Sequence, residues 1–315
     1  CTNLMSVNVP SSVTSIGSGV FQECYNLGSL IWDTELGMKE NMLTTEHRNN
    51  CLIYVSEQTV IPSEWSGLNI IRNGVAQNVE LLDTYPFMAA KDFIANKISY
   101  KHAYGFSTEK GTAAGWCTIA LPFTVQKFIH EEKGIIAPFN SGIEGSHPFW
   151  LRELGQDGFK DVTTLEAYKP YIIAMPNSTE YDPQYNLTGT VVFMAESAEG
   201  IVVRATPKSL PCGETATYRL FPSFGNMQVS DNVYALNTYT YANCLPGSLF
   251  VRGTFPVNPF ESYVITKEDS KCAPLFYSIG GEGGEITGLE EIMKKEEESL
   301  KVYTVGNVLY IDSDR

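Results

Sequence analysis

The chain has little positive charge, little histidine and no long apolar run. It carries 22 Lys and Arg against 36 Asp and Glu, a formal net charge of −14, and four His in 315 residues. Nucleic-acid binding needs clustered basic side chains, so this balance disfavours nucleic acid as a partner, and likewise an anionic membrane surface. No apolar stretch approaches the ~20 residues of a membrane helix, and no basic segment followed by an apolar one suggests a signal peptide.

Motifs for metals and for common catalytic sites are also missing. The seven cysteines form no CxxC pair and have no His at ligand spacing, which disfavours zinc. His130-Glu131-Glu132 lacks the second His of a metalloprotease motif, so we expect these residues in a solvated turn. No phosphate-binding loop, nucleophile elbow or dinucleotide-binding pattern occurs. We therefore predict no cofactor and no metal, and a Cys212–Cys244 disulfide stays open.

What the chain does have is a short repeat at its start. Residues 1–7 recur as residues 24–30, a shift of 23 positions, with Cys, Asn, Leu and Ser in matching places. A fixed period of this size is the signature of a solenoid, in which each turn stacks on the next. The apolar positions of the first unit suit a strand with one face in the core. Trp32 falls at the phase of Val9, on that core side, and the repeated cysteines are predicted to be small buried hydrophobes.

Within the repeat, the sequence reads Val9-Pro10-Ser11-Ser12-Val13-Thr14-Ser15-Ile16-Gly17, then Val20-Phe21 and then Cys24-Tyr25-Asn26-Leu27. These residues resemble the BspA-type leucine-rich repeat of surface proteins in Bacteroides-like bacteria. The resemblance is clearest over residues 1–32 and fades by about residue 60, where a third start at Cys51 lacks the Asn-Leu pair, as a capping repeat can. It implies a cell-surface protein that recognises its ligand through the repeats, and we expect the segment to begin inside a longer array.

From Asn73-Gly74 onward the sequence predicts many short strands. Runs rich in Val, Ile, Tyr and Phe alternate with Gly, Pro, Asn and Asp, which is typical of a β-sandwich or barrel. A short helix is predicted at Thr164–Tyr168, and another is considered to begin at Leu151–Glu153. Three segments resemble a β-rich module of the same class of surface proteins, which implies an extracytoplasmic domain; they are 115–123, 166–173 and 253–264. The predicted strands are Lys97–Tyr100, Trp116–Phe123, Tyr171–Met175, Thr190–Met194, Ile201–Ala205, Tyr218–Pro222, Val233–Leu236, Leu249–Thr254 and Ser262–Thr266.

These patterns predict a mainly β chain, in which a short leucine-rich-repeat solenoid end packs on a β-sandwich-like domain with few short helices. A flexible charged linker separates that domain from a β-hairpin, expected to turn at Gly306-Asn307. The hairpin resembles the opening of a C-terminal anchor or sorting domain and is expected to be a truncated part of it. The predicted boundaries are 1–60 for the repeat stub with its capping repeat, 61–75 for a connector, 76–279 for the β-sandwich-like domain, 280–299 for the linker and 300–315 for the hairpin. Two sub-sheets within the β-sandwich-like domain are an open alternative.

Trp65 and Trp150 are the candidate binding residues. Each lies in a loop-like context, where an exposed indole can stack on a ligand. Burial of either ring in a contact between domains is the alternative. Trp116 lies in an apolar run and is predicted to be core, whereas His147 is expected in a loop and His102 stands alone.

The functional hypothesis is a non-enzymatic adhesion or recognition protein, at the cell surface or secreted, that binds a host protein or a glycan through its repeats. Two alternatives stay open. One is a carbohydrate-active enzyme that uses paired carboxylates gathered on loops of the β-domain. The other is a purely structural spacer that carries the repeats. Sequence singles out no carboxylate pair, because the members of such a site come from distant strands.

Overall fold

The structure is a computed structural model, and it describes residues 1, 3–65, 67–108, 113–178, 185–267, 276–279, 300–305 and 308–313. As predicted, the protein is mainly β. In these ranges there is one α-helix, α1 at Thr45–Asn50, and one short 3-10 helix at Glu40–Met42. Neither helix has the length and apolar character needed to cross a bilayer.

The strands are numbered in chain order. They are β1 Ser6–Val9, β2 Ser29–Trp32, β3 Leu52–Val55, β4 Ile70–Arg72, β5 Val75–Ala76, β6 Val79–Leu82, β7 Phe93–Tyr104, β8 Trp116–Ile119, β9 Lys127–His130, β10 Gly134–Pro138, β11 His147–Gly155, β12 Gly158–Asp161, β13 Tyr171–Ala174, β14 Gly189–Val203, β15 Gly213–Glu214, β16 Tyr218–Pro222, β17 Tyr234–Leu236, β18 Leu249–Arg252, β19 Ser262–Thr266, β20 Phe276–Ser278, β21 Leu300–Val305 and β22 Val308–Ser313.

The first four strands form a parallel, solenoid-like stack. Ser6 lies opposite Ser29, and Ser29 lies opposite Leu52, so each step from β1 to β3 advances 23 residues. This register confirms the repeat length predicted from the sequence. The step from β3 to β4 pairs Ile53 with Ile70 and is shorter, so the regular period ends at β3.

The register also corrects the phase of the third repeat. Because Leu52 lies opposite Ser29, Cys51 takes the position of Gly28, and the position of Cys24 falls on His47. The third unit therefore does not start at Cys51, and its opening segment is α1. Thr44 caps that helix, with Oγ1 accepting the His47 N–H at 3.3 Å, as a Thr at this position commonly does.

The two faces of the stacked strands belong to different cores. On one face Trp32 is fully buried inside the solenoid, as its phase predicted, and its indole N–H donates to the Leu36 carbonyl at 2.7 Å. On the opposite face Ile31, Tyr54 and Ile71 join the larger core of the β-rich region. Side chains alternate across a strand, so a stack buried on both faces reads as a continuous apolar run, as in β3.

The sheet continues from the stack into the β-rich region without a break. Its order is β1-β2-β3-β4-β5-β7-β14-β9-β10-β11-β13-β8, with β6 beside β7 and β12 beside β11. β7 and β14 form a long antiparallel pair with a register shift, a β-bulge or irregularity, between Glu196 and Ile201. The strands predicted at 190–194 and 201–205 are therefore two parts of one strand that ends at Val203.

A second sheet has the order β15-β16-β19-β17-β18-β20. Trp116 and Ile172 of the long sheet pack with Leu220, Tyr234 and Phe250 of the second sheet, so the two sheets share a hydrophobic core. The burial of Trp116 confirms its predicted place in a core. The strands predicted at 218–222 and 262–266 are present with the same ends.

Both predicted helices in this region are wrong. Leu151–Glu153 lies inside β11 and pairs with β13 and β12. Thr164–Tyr168 is irregular because its backbone pairs elsewhere: Leu165 accepts the Val125 N–H at 2.9 Å, and Tyr168 donates to Leu121 at 2.7 Å. These long-range bonds occupy groups that a helix would need, so tertiary pairing overrides local propensity.

The C-terminal hairpin predicted at 300–315 is present over the described residues. β21 pairs with β22 in antiparallel register, from Leu300 opposite Ser313 to Val305 opposite Val308. The turn predicted at Gly306-Asn307 and the linker predicted at 280–299 lie outside the described residues.

Candidate functional site

The first predicted binding residue, Trp65, lies in a turn, and its backbone N–H donates to the Pro62 carbonyl at 3.1 Å. Its ring packs into the solenoid core and is only 7% exposed. It also borders a cleft of about 480 Å³ together with Glu57 and Arg72. The Arg72 guanidinium is occupied by the carbonyls of Ser56 and Glu57, at 2.8 and 2.9 Å. A buried ring offers little area for stacking, so a binding role for Trp65 stays a prediction.

The second predicted binding residue, Trp150, lies in β11 and not in a loop, and His147 likewise begins that strand. The loop placement was wrong because this segment pairs with β10 and β13. The Trp150 ring is half-buried, 6.5 Å from the Trp116 ring and 5.4 Å from the Phe139 ring between centroids. Trp65 belongs to the solenoid core and Trp150 borders the core shared by the two sheets, so the fold does not bring the two together.

The strand face that would serve recognition in the repeats is mostly covered. We call Ser6 and Asn8 on β1 the open face, because both side chains are exposed. We call Ile31, Tyr54 and Ile71 the covered face, because they continue the Asn8 position along the stack and are buried against the β-rich region. In the described part of the stack, a ligand therefore reaches this face only at β1.

A second candidate site is a cleft that lies between the two sheets, with a volume of about 400 Å³. We call it the intersheet cleft. Its volume falls within the ~300–1,000 Å³ range typical of small-molecule sites. The described residues that line it are His102, Ala103, Gly105 and Phe106 from the end of β7, Cys117 and Thr118 from β8, Leu236, Asn237 and Thr238 after β17, and Glu261 before β19.

A partly buried chain of hydrogen bonds orients the His102 ring in this cleft. Its Nδ1 lies 2.9 Å from Asp83 Oδ2, and the other oxygen of Asp83 accepts the Tyr100 hydroxyl. Burial, together with the negative charge of Asp83, raises the pKa of Tyr100 well above its usual value, so Tyr100 remains a donor. With Nδ1–H assigned to the carboxylate, neutral His102 has Nε2 as an acceptor.

Cys117 lies in the same wall but has the wrong chemistry for a nucleophile. Burial raises the pKa of its thiol to about 12, and the charges of Glu261 and Asp83 add to the effect. A nucleophilic Cys needs a lowered pKa, because the thiolate is the reactive form. Within the described residues Cys117 makes no hydrogen bond to His102, so a Cys–His pair is not assembled.

Hydrogen bonds hold two further lining residues, Glu261 and Thr118, in place. Glu261 accepts the Asn258 backbone N–H at 2.8 Å and the Asn258 side-chain amide at 3.0 Å, one on each oxygen. Thr118 Oγ1 accepts the Ser262 N–H at 2.9 Å, which leaves its own hydroxyl hydrogen available. Glu261 is the one carboxylate among the described lining residues, since Asp83 lies behind His102.

The histidine of His130-Glu131-Glu132 is not in a solvated turn, although the two glutamates are exposed as predicted. His130 is buried at the end of β9, where its Nδ1 accepts the N–H groups of Glu132 and Lys133, both at 3.2 Å. Its Nε2 lies 3.2 Å from the Thr188 carbonyl. The imidazole therefore closes the turn after β9, and the prediction of a solvated side chain was wrong.

Two further features concern cysteine pairing and metal binding. Among the described residues, Cys212 and Cys244 are not joined by a disulfide. No group of three or more His, Cys, Asp or Glu side chains in the described ranges is arranged to hold a metal ion. In comparisons with known proteins, no family model, no curated protein and no solved structure matches the chain.

Sequence reasoning did not identify the intersheet cleft. Its residues come from four separate strand ends between 102 and 261, and no spacing links them. The one available signal was the alternation of Tyr100, His102 and Tyr104, which places three rings on one face of β7. Their contacts bear this out, since His102 lies 4.5 Å from Tyr104 and 6.2 Å from Tyr100 between ring centroids.

Proposed function

We propose that this chain is a non-enzymatic recognition protein of the cell surface, in which leucine-rich repeats bind a protein or a glycan and the β-rich region supports them. The observation that carries the proposal is the constant 23-residue register of β1, β2 and β3. Repeats stacked in this way build extended recognition surfaces rather than catalytic centres. The resemblance to BspA-type repeats supports an extracytoplasmic location.

The role of support rests on the continuity of the long sheet. β4, β5 and β7 are hydrogen-bonded neighbours, so the stack and the β-rich region form one backbone ladder. We further propose that the two sheets in 76–279 act as a sandwich-like base, which their shared core favours. Such a base holds the open face at a fixed orientation, which suits a recognition protein and also a spacer.

The carbohydrate-active enzyme is the second candidate, and the intersheet cleft is the observation that favours it. A glycosidase needs two carboxyl groups across the scissile bond, about 5–10 Å apart. Glu261 is the one carboxylate among the cleft's described lining residues, and Asp83 is engaged by His102 and Tyr100. The cleft is therefore better suited to holding a ligand than to cleaving one.

The test is a binding screen of the full chain against a glycan array and against collagen, fibronectin and laminin. Ser6→Arg with Asn8→Arg places two bulky cations on the open face. Ser11→Arg with Ser12→Arg makes the same charge change at exposed positions after β1 and serves as the matched control. We expect the first pair to weaken binding by at least about 10-fold, or 1.4 kcal/mol, and the control to leave it unchanged. No binding by the unaltered chain, or equal loss in both pairs, would contradict the proposal.

A further inference from the structure

We infer that the intersheet cleft binds one pyranose unit of a neutral carbohydrate. This site lies in the β-rich region and does not depend on ligand binding by the repeats. The inference rests on the cleft's size, on its mixture of apolar and polar walls, on the absence of Lys and Arg among its described lining residues and on the hydrogen bonds that hold its polar groups in place.

The cleft combines an apolar wall with a few convergent polar groups. Phe106 and Leu236 supply apolar surface, and an aromatic side chain is the usual partner of the C–H face of a sugar ring. The volume of about 400 Å³ is at the lower end of the small-molecule range of ~300–1,000 Å³. A cleft of this size suits one ring and not a folded peptide segment.

The polar groups match hydroxyls better than they match other donors or acceptors. Thr118 and Thr238 carry hydroxyls, which both donate and accept, and His102 offers Nε2 as an acceptor when Nδ1–H is donated to Asp83. Glu261 adds a carboxylate with each oxygen already bonded to Asn258, so its orientation is set and lone pairs remain for a ligand. A sugar hydroxyl both donates and accepts, whereas an ammonium group only donates and would leave the hydroxyl hydrogens unused.

The charge of the described lining residues disfavours anionic ligands in the cleft. None of its described lining residues is Lys or Arg, and Glu261 is negative. The chain as a whole carries a formal net charge of −14. Phosphates, sulfated glycans and sialylated glycans would be repelled, because their recognition needs cationic groups. A neutral carbohydrate remains.

The polar wall is ordered before any ligand arrives. Asn237 is fully buried, and its amide donates to the carbonyls of Tyr239 and Leu245 at 3.0 and 2.9 Å. Its oxygen accepts the N–H groups of Ser248 and Leu249, both at 2.9 Å. All four bonds fix the loop that carries Thr238. Preorganisation of this kind lowers the entropy lost on binding.

The experiment is saturation-transfer-difference NMR on the full chain with the methyl pyranosides of glucose, galactose, mannose and N-acetylglucosamine as probes. We expect at least one of them to bind with a dissociation constant of about 1 mM or tighter. Thr238→Arg, at an exposed position on the rim, should abolish the signal by filling the cleft. Thr240→Arg carries the same change two residues away, outside the lining, and should keep the signal.

Glu261→Gln tests the polar wall without added bulk. Losing the charged acceptor should weaken binding by at least about 10-fold, whereas Glu199→Gln, an exposed position within the register shift of β14, should have no effect. Equal thermal midpoints would show that the variants fold. The absence of binding by all four probes would overturn the inference, as would binding that survives both Thr238→Arg and Glu261→Gln. Because Ser6→Arg with Asn8→Arg should leave pyranoside binding intact, failure of this inference is distinguishable from failure of the proposed function.

Discussion

The open face of β1 and the covered face of β2, β3 and β4 occupy the same position in the stack and have opposite surroundings. Asn8, Ile31, Tyr54 and Ile71 lie side by side in parallel register. Asn8 is exposed, whereas the other three are buried in the core of the β-rich region. Along this row of paired positions, the side chain thus changes from exposed to buried between one repeat and the next.

This difference shows that a repeat does not by itself define a recognition surface. The residue at the shared position changes from polar Asn8 to apolar Ile31 where the neighbouring domain begins to cover the strand. Burial of Ile31, Tyr54 and Ile71 also attaches the stack to its base, so a face that recognises ligands in other solenoids supplies cohesion in this one. On this face of the described stack, access for a ligand is then left to β1.

The largest expected effect comes from removing a covered side chain. Tyr54 is 7% exposed, its ring packs edge-on against Phe93 at 6.1 Å, and its hydroxyl donates to the Lys91 carbonyl at 3.1 Å. Tyr54→Ala should lower the free energy of unfolding by about 3–5 kcal/mol, as for other large-to-small aromatic changes in a core. Asn8→Ala, at the same position on the open face, should change it by less than about 0.5 kcal/mol. Urea denaturation of both variants measures the difference, and equal effects would break the comparison.

A smaller effect is expected at high pH. Burial raises the pKa of Tyr54 above the usual value of 10.0, and it raises that of Tyr171, in the same core, to about 12. Above pH 10 the unfolded chain loses these protons while the folded chain keeps them, so the unfolded state binds fewer protons and stability falls. The full contribution is present below pH ~10, and the loss is up to about 1.4 kcal/mol per pH unit for each tyrosine.

Urea unfolding at several pH values between ~10 and ~12 measures this slope. Tyr54→Phe should reduce the slope of the free energy of unfolding against pH by up to about 1.4 kcal/mol per pH unit, because the variant lacks the hydroxyl that titrates. Tyr239→Phe, which alters an exposed ring, is the control and should leave the slope as it was. A slope unaffected by Tyr54→Phe would mean that Tyr54 is not buried as described.

The repeat and many of the strands could be predicted from the sequence because their signals are local. The match between residues 1–7 and 24–30 gave the period, and the phase of Trp32 against Val9 placed it in the solenoid core. The ends of β16 and β19 followed from short apolar runs between turn residues. The third repeat was misplaced because Cys51, at the end of α1, imitated the first residue of a unit.

What could not be predicted depends on contacts between distant segments. The intersheet cleft forms only where the ends of β7, β8 and β17 meet the start of β19. The spacing of His102 and Glu261 in the sequence does not predict this meeting. Thr164–Tyr168 has helical composition, but its backbone forms hydrogen bonds with the backbone of Leu121 and Val125. The covering of Ile31 and Tyr54 likewise depends on how β7 and its neighbours pack.

The central claim is that the β-rich region covers the strand face of the second and third repeats. Its most direct test is the accessibility of a thiol placed at residue 8 or at residue 31, which lie opposite each other in the parallel register. Asn8→Cys and Ile31→Cys would each be made with Cys1→Ser and Cys212→Ser, which remove the two exposed thiols of the described residues, and with Cys272→Ser. Reaction with Ellman's reagent is then timed in the folded protein. We expect Asn8→Cys to react as a free thiol does and Ile31→Cys to react at least ~100-fold more slowly, since it is reached only by local opening. Equal rates at the two positions in the folded protein would contradict the account.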